Sequence, residues 1–204
     1  MRGQKRGEET RTHILDAAEE CFARHGYDAT SVAEICHCAD LSKGAFYHHF
    51  SSKQALFLAL LERWLARLDT QLGAARTEDS NIPETLLSMS RMMRQVFQQA
   101  SGKLSMFLEF WTKAAHDPAV WQATIDPYRR YQSFFRDMME AGVAEGTLQP
   151  VDPEMAAWIL ISLATGLLLQ GLLAPQQADW GHVAEEGIRI LLKGLEPRDT
   201  LRPL

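Results

Sequence analysis

The 204 residues contain no G-x-S-x-G, H-E-x-x-H, G-x-x-x-x-G-K-[ST] or G-x-G-x-x-G. The usual signatures of serine hydrolases, zinc peptidases, phosphate-loop enzymes and dinucleotide-dependent enzymes are therefore missing. Ser101-Gly102-Lys103 has no upstream glycine to complete a phosphate loop, and His116-Asp117 falls where a helix end is expected. Cysteine is scarce: Cys21, Cys36 and Cys38 are the only three, an odd number that suits reduced thiols rather than a disulfide framework. On a helix, Cys36 and Cys38 point roughly 200° apart and cannot share one ion, so no metal is expected, and no cofactor. The N-terminus has no apolar signal region, which leads to a cytoplasmic expectation. An excess of basic charge is lacking too. The net charge is −5, and residues 1–63 carry eight Lys/Arg against nine Asp/Glu, so bulk attraction to polyanions is excluded.

What is present is a short, dense stretch from Thr30 to Lys53. Val32, Ile35 and Ala39 lie at the 3, 4 spacing of one buried face in a helix over Ser31–Cys38, with Thr30 where an N-cap belongs. Asp40-Leu41-Ser42 then reads as a turn, with Asp40 tolerating a left-handed conformation and Ser42 capping a second helix over Lys43–His49. Phe46 and Phe50 face inward there, which leaves Lys43, Gly44, Ala45, Tyr47, His48 and His49 outside. Lysine can reach guanine edges or phosphate, glycine admits a foreign backbone, and alanine can touch a thymine methyl. Tyr47, His48 and Lys53 supply donors at the radius of phosphate oxygens beside a helix in a major groove. The pattern predicts a helix-turn-helix at about residues 31–50. The basic residues Arg2, Lys5 and Arg6 suggest a loose arm, and Asp16, Glu19 and Glu20 sit on a helix that can turn them away from DNA.

Thr30, Ile35, Ala39, Leu41, Ser42, Gly44, Phe46, Tyr47, His49, Phe50, Ser52, Lys53 and Leu56 together resemble the DNA-binding motif of TetR/AcrR transcriptional repressors. Cys36 stands where the family usually has alanine. Asp40 replaces its turn glycine, at about 1 kcal/mol of left-handed strain. Ala33, often basic in relatives, shifts the burden of base reading onto the second helix. The resemblance implies an all-α fold, with a DNA-binding head over residues 1–54 and a helical regulatory and dimerisation region over 55–204. It also implies double-stranded DNA with a palindromic operator as partner, contacted by Thr30, Ser31, Ser42, Lys43, Gly44, Ala45, Tyr47, His48, His49 and Lys53.

The remaining helices are expected at Thr10–His25 (ending at Gly26), from Lys53 to about Ala75, and at Ile82–Ala100, Lys103–Asp117, Pro118 to about Ala141, Met155–Ala174 and Trp180–Leu195. Pro127 predicts a kink or short break near Asp126. Met155–Ala174 carries no charge, so a membrane span and a buried interface helix both fit its length. Ser162, Thr165, Gly166, Gln170 and Gly171, without Lys/Arg clusters alongside, favour the interface and no membrane. Paired with the last helix it gives a homodimeric four-helix bundle, with Ile159, Ser162, Gly166, Leu169, Ile188, Leu191 and Leu192 as interface candidates.

The middle helices are rich in adaptable side chains. A Met and aromatic stripe at helical spacing is ordinarily core. The resemblance adds an effector cavity as a second reading, with Trp64, Met89, Met93, Phe97, Phe107, Phe110, Trp111, Tyr131, Phe135 and Trp158 as candidate lining for a small hydrophobic or aromatic effector. The expected function is thus a ligand-responsive repressor and not an enzyme. A constitutive or architectural DNA-binding protein with a solid core is the rival.

Overall fold

The computed structural model describes residues 2–76, 80–99 and 104–197. Among these the chain is all-helical: α1 Arg2–His25, α2 Val32–Cys38, α3 Lys43–His49, α4 Lys53–Ala75, α5 Ile82–Gln99, α6 Leu104–Ala114, α7 Pro118–Ala144, α8 Pro153–Leu173 and α9 Trp180–Leu195. Residues with side-chain oxygens open several of them. Ser31 and Glu34 form a reciprocal capping box on α2, Ser42 caps α3, Asn81 accepts from Glu84 N–H ahead of α5, Asp152 caps α8 and Asp179 caps α9.

Several boundaries differ from expectation for local reasons. The basic arm is helical from Arg2, and Thr10 donates its hydroxyl back to Arg6 O at 2.9 Å, so it lies inside α1 rather than at its start. The N-cap of α2 is Ser31, not Thr30, whose side chain is buried. No break occurs at Pro127, and α7 continues through it; a proline removes one helical hydrogen bond, which a helix of 27 residues absorbs.

Packing divides the chain into two compact units. One comprises Met1–Arg67 with Ser101–Ile125, the other Leu68–Ala100 with Asp126–Leu204. The helix-turn-helix and the first part of α4 both lie in the first unit. Its core takes Ile14, Phe22, Ile35, Phe46 and Phe50 from the first three helices and the end of the third, then Leu56, Phe57, Leu60 and Leu61 from α4 and Met106, Phe110 and Ala114 from α6. The Phe57 and Phe110 rings stack at 4.3 Å. The second unit buries Ile82, Leu86, Met89, Met138, Met139, Leu148, Ala156, Leu160, Leu192 and Leu195 together. There α9 lies so tightly on α5 that a β-carbon at Gly181 would come within 2.8 Å of the Arg94 backbone.

Candidate nucleic-acid interface

The turn between α2 and α3 sets the pose of everything that follows. Asp40 adopts φ +49°, Leu41 N–H donates to Cys36 O at 2.9 Å, and Asp40 N–H donates to His37 O at 3.2 Å. This is a Schellman termination with aspartate in the place glycine favours, and Leu41 packs into the core as its apolar anchor. His13 on α1 steadies the same corner, with Nε2 3.0 Å from Ala39 O.

Helix α3 is then seated by Phe46 and Phe50, 0% and 4% exposed. Its other side is open: Ser42, Lys43, Gly44, Tyr47 and His48 are exposed, and Ala45 and His49 are half-buried. Tyr47 is 54% exposed and meets Phe46 edge-on at 5.3 Å. His48 and His49 are likewise in edge contact, at 5.1 Å. A β-carbon on Gly44 would meet only Ser42 Oγ, at 3.7 Å, so nothing among the described residues blocks approach of a foreign backbone there. Arg11 on α1, which the sequence pattern did not single out, lies exposed beside this face with its guanidinium 5.2 Å from the Phe50 ring.

Two of the sequence-derived DNA contacts also make hydrogen bonds within the head. Thr30 is 1% exposed and donates its hydroxyl to Gly26 O at 2.8 Å, so its side chain stabilises the turn after α1. Lys53 directs Nζ at the carbonyls of Tyr27 and Thr30, both at 2.8 Å, and lies 4.3 Å over the Tyr27 ring. These contacts tie the start of α4 to the α1–α2 loop. That loop is gripped from α6 as well: Lys113 pairs with Asp28 at 2.6 Å, and Glu109 accepts from Tyr27 N–H at 3.3 Å. The Lys113 hydrogen bond lowers the Asp28 pKa.

Three of the acids on α1 are paired locally. Arg63 on α4 pairs with both Asp16 and Glu19, and Arg24 pairs with Glu20.

The effector-cavity candidates fall in both units. Trp64, Phe110 and Trp111 belong to the first, where the buried Phe110 ring stacks on Phe57. Met89, Met93, Phe97, Tyr131, Phe135 and Trp158 belong to the second, and Trp158, at 45% exposure, is a surface residue of the chain. The side chain of Phe107 lies outside the described residues. Tyr131 donates its hydroxyl to Asp69 at 2.7 Å while Arg130 bridges the same carboxylate; burial, then that hydrogen bond, pushes the phenol up to about 12. Of the dimer candidates, Leu192 faces its own core, whereas Ile190, overlooked in the sequence, is 73% exposed.

Residues 14–60 match the sequence profile described as bacterial regulatory proteins, tetR family, and residues 84–195 match that of the BetI-type transcriptional repressor C-terminal region. The chain is 28% identical over 170 residues to the HTH-type transcriptional regulator UidR of Escherichia coli, covering 81% of this chain and 83% of UidR. Among solved structures it is similar to Salmonella enterica GusR, at TM-score 0.72 and 26% identity over 91% of this chain and 96% of that one. It shares the fold of a transcriptional regulator from Saccharomonospora viridis in complex with choline, at TM-score 0.83 and 22% identity over 94% and 100% of the two chains. With both profiles matched in order, the helix-turn-helix chain is a DNA-binding transcriptional regulator rather than an enzyme, and it belongs to the TetR family.

Proposed function

We propose that the protein is a cytoplasmic, homodimeric repressor that binds a palindromic operator and is released by a small hydrophobic or aromatic effector. The observation that carries the DNA reading is the open face of α3, where Ser42, Lys43, Gly44, Ala45, Tyr47, His48 and His49 surround a helix anchored by two buried phenylalanines. Ser31 at the start of α2, with the backbone of Thr30, completes the proposed contact surface. Lys43 and Ala45 would read base edges, and Tyr47 and His48 would hold phosphate.

Dimerisation is supported by α8. Met155, Ile159, Ser162, Gly166, Leu169 and Leu173 recur at alternating four- and three-residue steps, the spacing of a helix that packs lengthwise on another helix. Met155, Ile159, Leu169 and Leu173 are 49%, 47%, 40% and 73% exposed on the single chain. Val183 and Ile190 add exposed apolar surface on α9. Helix α8 is long and apolar enough to span a membrane by composition, with 28% of its most apolar window buried. A second copy's α8 and α9 would cover the same side chains without lipid.

For the effector we propose the interior of the second unit, lined by Met89, Met93 and Phe97 of α5 and Tyr131 and Phe135 of α7. The Asp69–Arg130–Tyr131 network would serve as its polar end. Because α4 carries Trp64 and runs on to Asp69, its displacement would alter the separation of the two heads. Coupling of about 1–3 kcal/mol would weaken operator binding roughly 5–150-fold.

Selection from random duplexes tests this reading. A palindrome is expected, with half-site centres about 34–36 Å apart or a multiple of that; failure to enrich any symmetric duplex would overturn it. Thermal-shift screening of small apolar compounds separates an inducible repressor from a constitutive regulator with a solid core, because only the former gains ligand-dependent stability.

A further inference from the structure

The cysteines that looked unremarkable in the sequence are brought together by the fold. Cys21, on the inner face of α1, and Cys38, the last residue of α2, place their sulfurs 3.0 Å apart. Cys21 is 3% exposed, whereas Cys38 is exposed. Cys36 is buried within the head core and makes no third member of the group. We propose that Cys21 and Cys38 are a peroxide-sensitive dithiol that closes to an intrachain disulfide between α1 and α2.

The two sulfurs have different roles in that reaction. The Cys21 thiol donates to Cys38 Sγ, and Cys38 is the sulfur that solvent reaches. Burial, then the Cys38 contact, pushes the Cys21 thiol up to about 12 and holds it protonated until needed. Cys38 thiolate attacks a peroxide oxygen. The O–O bond breaks, an alcohol or water leaves with one proton, and Cys38 becomes a sulfenic acid. Cys21 sulfur then attacks the sulfenic sulfur. The S–O bond breaks, and the hydroxide leaves as water with the Cys21 proton. Two thiols have together lost two protons and two electrons, and the electrons reside in the reduced peroxide.

The sulfurs must approach by about 1 Å to reach bonding distance. The bond would close a loop holding Gly26 and the Tyr27–Thr30 segment that Lys53 and Lys113 grip. It would fix α1 to the end of α2 immediately before the Asp40 turn. Constraint of the unfolded chain should raise the Tm by about 5–10 °C.

The test treats the purified full-length protein with hydrogen peroxide, alkylates remaining thiols under denaturing conditions and maps the peptides by mass spectrometry. The expected result is a Cys21–Cys38 linked peptide that dithiothreitol reverses, with Cys36 alkylated. Cys36→Ser should form the same link. Cys38→Ser should form none, and Cys21→Ser should leave a Cys38 sulfenate trapped by dimedone. Sulfinic or sulfonic acid at Cys38 with Cys21 still alkylatable would overturn the proposal, as would a bond between chains. A lower Tm in the oxidised protein would overturn the prearranged geometry.

Discussion

Lys53, at the start of α4, holds its ammonium 2.8 Å from the carbonyl oxygen of Tyr27, in the loop that leaves α1. The same nitrogen reaches Thr30 O, also at 2.8 Å, and rests on the Tyr27 ring, so one cation ties α4 to both ends of that loop. Replacing it by methionine keeps the stem and removes the donors, leaving carbonyls to find water. Lys53→Met should cost about 2 kcal/mol of head stability, as expected when charged hydrogen bonds are lost. Urea unfolding followed by tryptophan fluorescence gives the number. Unchanged stability with uniformly weaker DNA binding would instead return Lys53 to the phosphate contacts.

Asp40 invites the opposite change. Its φ of +49° is a conformation glycine adopts freely, so Asp40→Gly should stabilise by about 1 kcal/mol, less any gain in unfolded-chain entropy. It also removes a negative charge just ahead of α3, so non-specific affinity for duplex should rise with it. A lower denaturation midpoint would mean that the aspartate side chain makes a contact whose loss outweighs the strain.

Lys43 is exposed in the first turn of α3. Lys43→Ala should therefore leave Tm within about 2 °C while costing about 1–3 kcal/mol at the selected operator. Loss should be smaller on random duplex. Equal losses on both would make Lys43 a phosphate contact only.

Much of this head was legible in the sequence because its signals are local. Helix α3 begins and ends at the predicted residues, since Ser42 caps it and Phe50 leaves it, and both are visible in a stretch of about ten residues. The left-handed Asp40 was legible for the same reason. The internal hydrogen bonds of Thr30 and Lys53 were not, because packing alone sets the distance to their partners. Cys21 and Cys38 are separated by 17 positions and meet only once α1 lies on α2. The grip of Glu109 and Lys113 on the α1–α2 loop joins residues 82 and 85 positions apart and left no periodic trace. Trp158 and Leu192 show the converse: an apolar residue on an amphipathic helix can face its own core or a partner, and periodicity does not say which.

Acid should loosen the protein through specific carboxylates. The Ser31 backbone N–H, then its hydroxyl, holds Glu34 below its ordinary pKa, and Lys113 does the same for Asp28 and Arg189 for Glu185. Such groups add stability above their unfolded values, and that stability is lost as pH falls through the lower folded values. Tm should be level near neutrality and fall below about pH 4.5. Glu34→Gln, which can keep the capping-box hydrogen bond, should flatten part of that fall. On the alkaline side Tyr131, raised to about 12 by burial, adds stability below about pH 10 that disappears as pH rises through 12. A Glu34→Gln curve parallel to the parent's at every pH would remove Glu34 from the account.

Gly166 gives a substitution whose sign separates a dimer from a monomer. It lies in the middle of α8, and a β-carbon there would meet nothing within 4 Å beyond α8's own backbone among the described residues. In a monomer, Gly166→Leu exchanges the poorest ordinary helix former for one of the best and should stabilise by roughly 0.5–1 kcal/mol. In the proposed dimer the same position is where two α8 helices come closest, so a leucine must push them apart. The expected result is therefore a chain that elutes as monomer by light scattering at micromolar concentration and melts lower than its parent. A Gly166→Leu protein that remains dimeric and melts higher would place the subunit contact elsewhere. Ile159→Asp, on the same stripe and 47% exposed, should also dissociate the pair, while Glu140→Lys, exposed on α7, should not. Agreement between the α8 substitutions, one steric and one electrostatic, would trace dissociation to the helix face they share rather than to either side chain's own effect on folding.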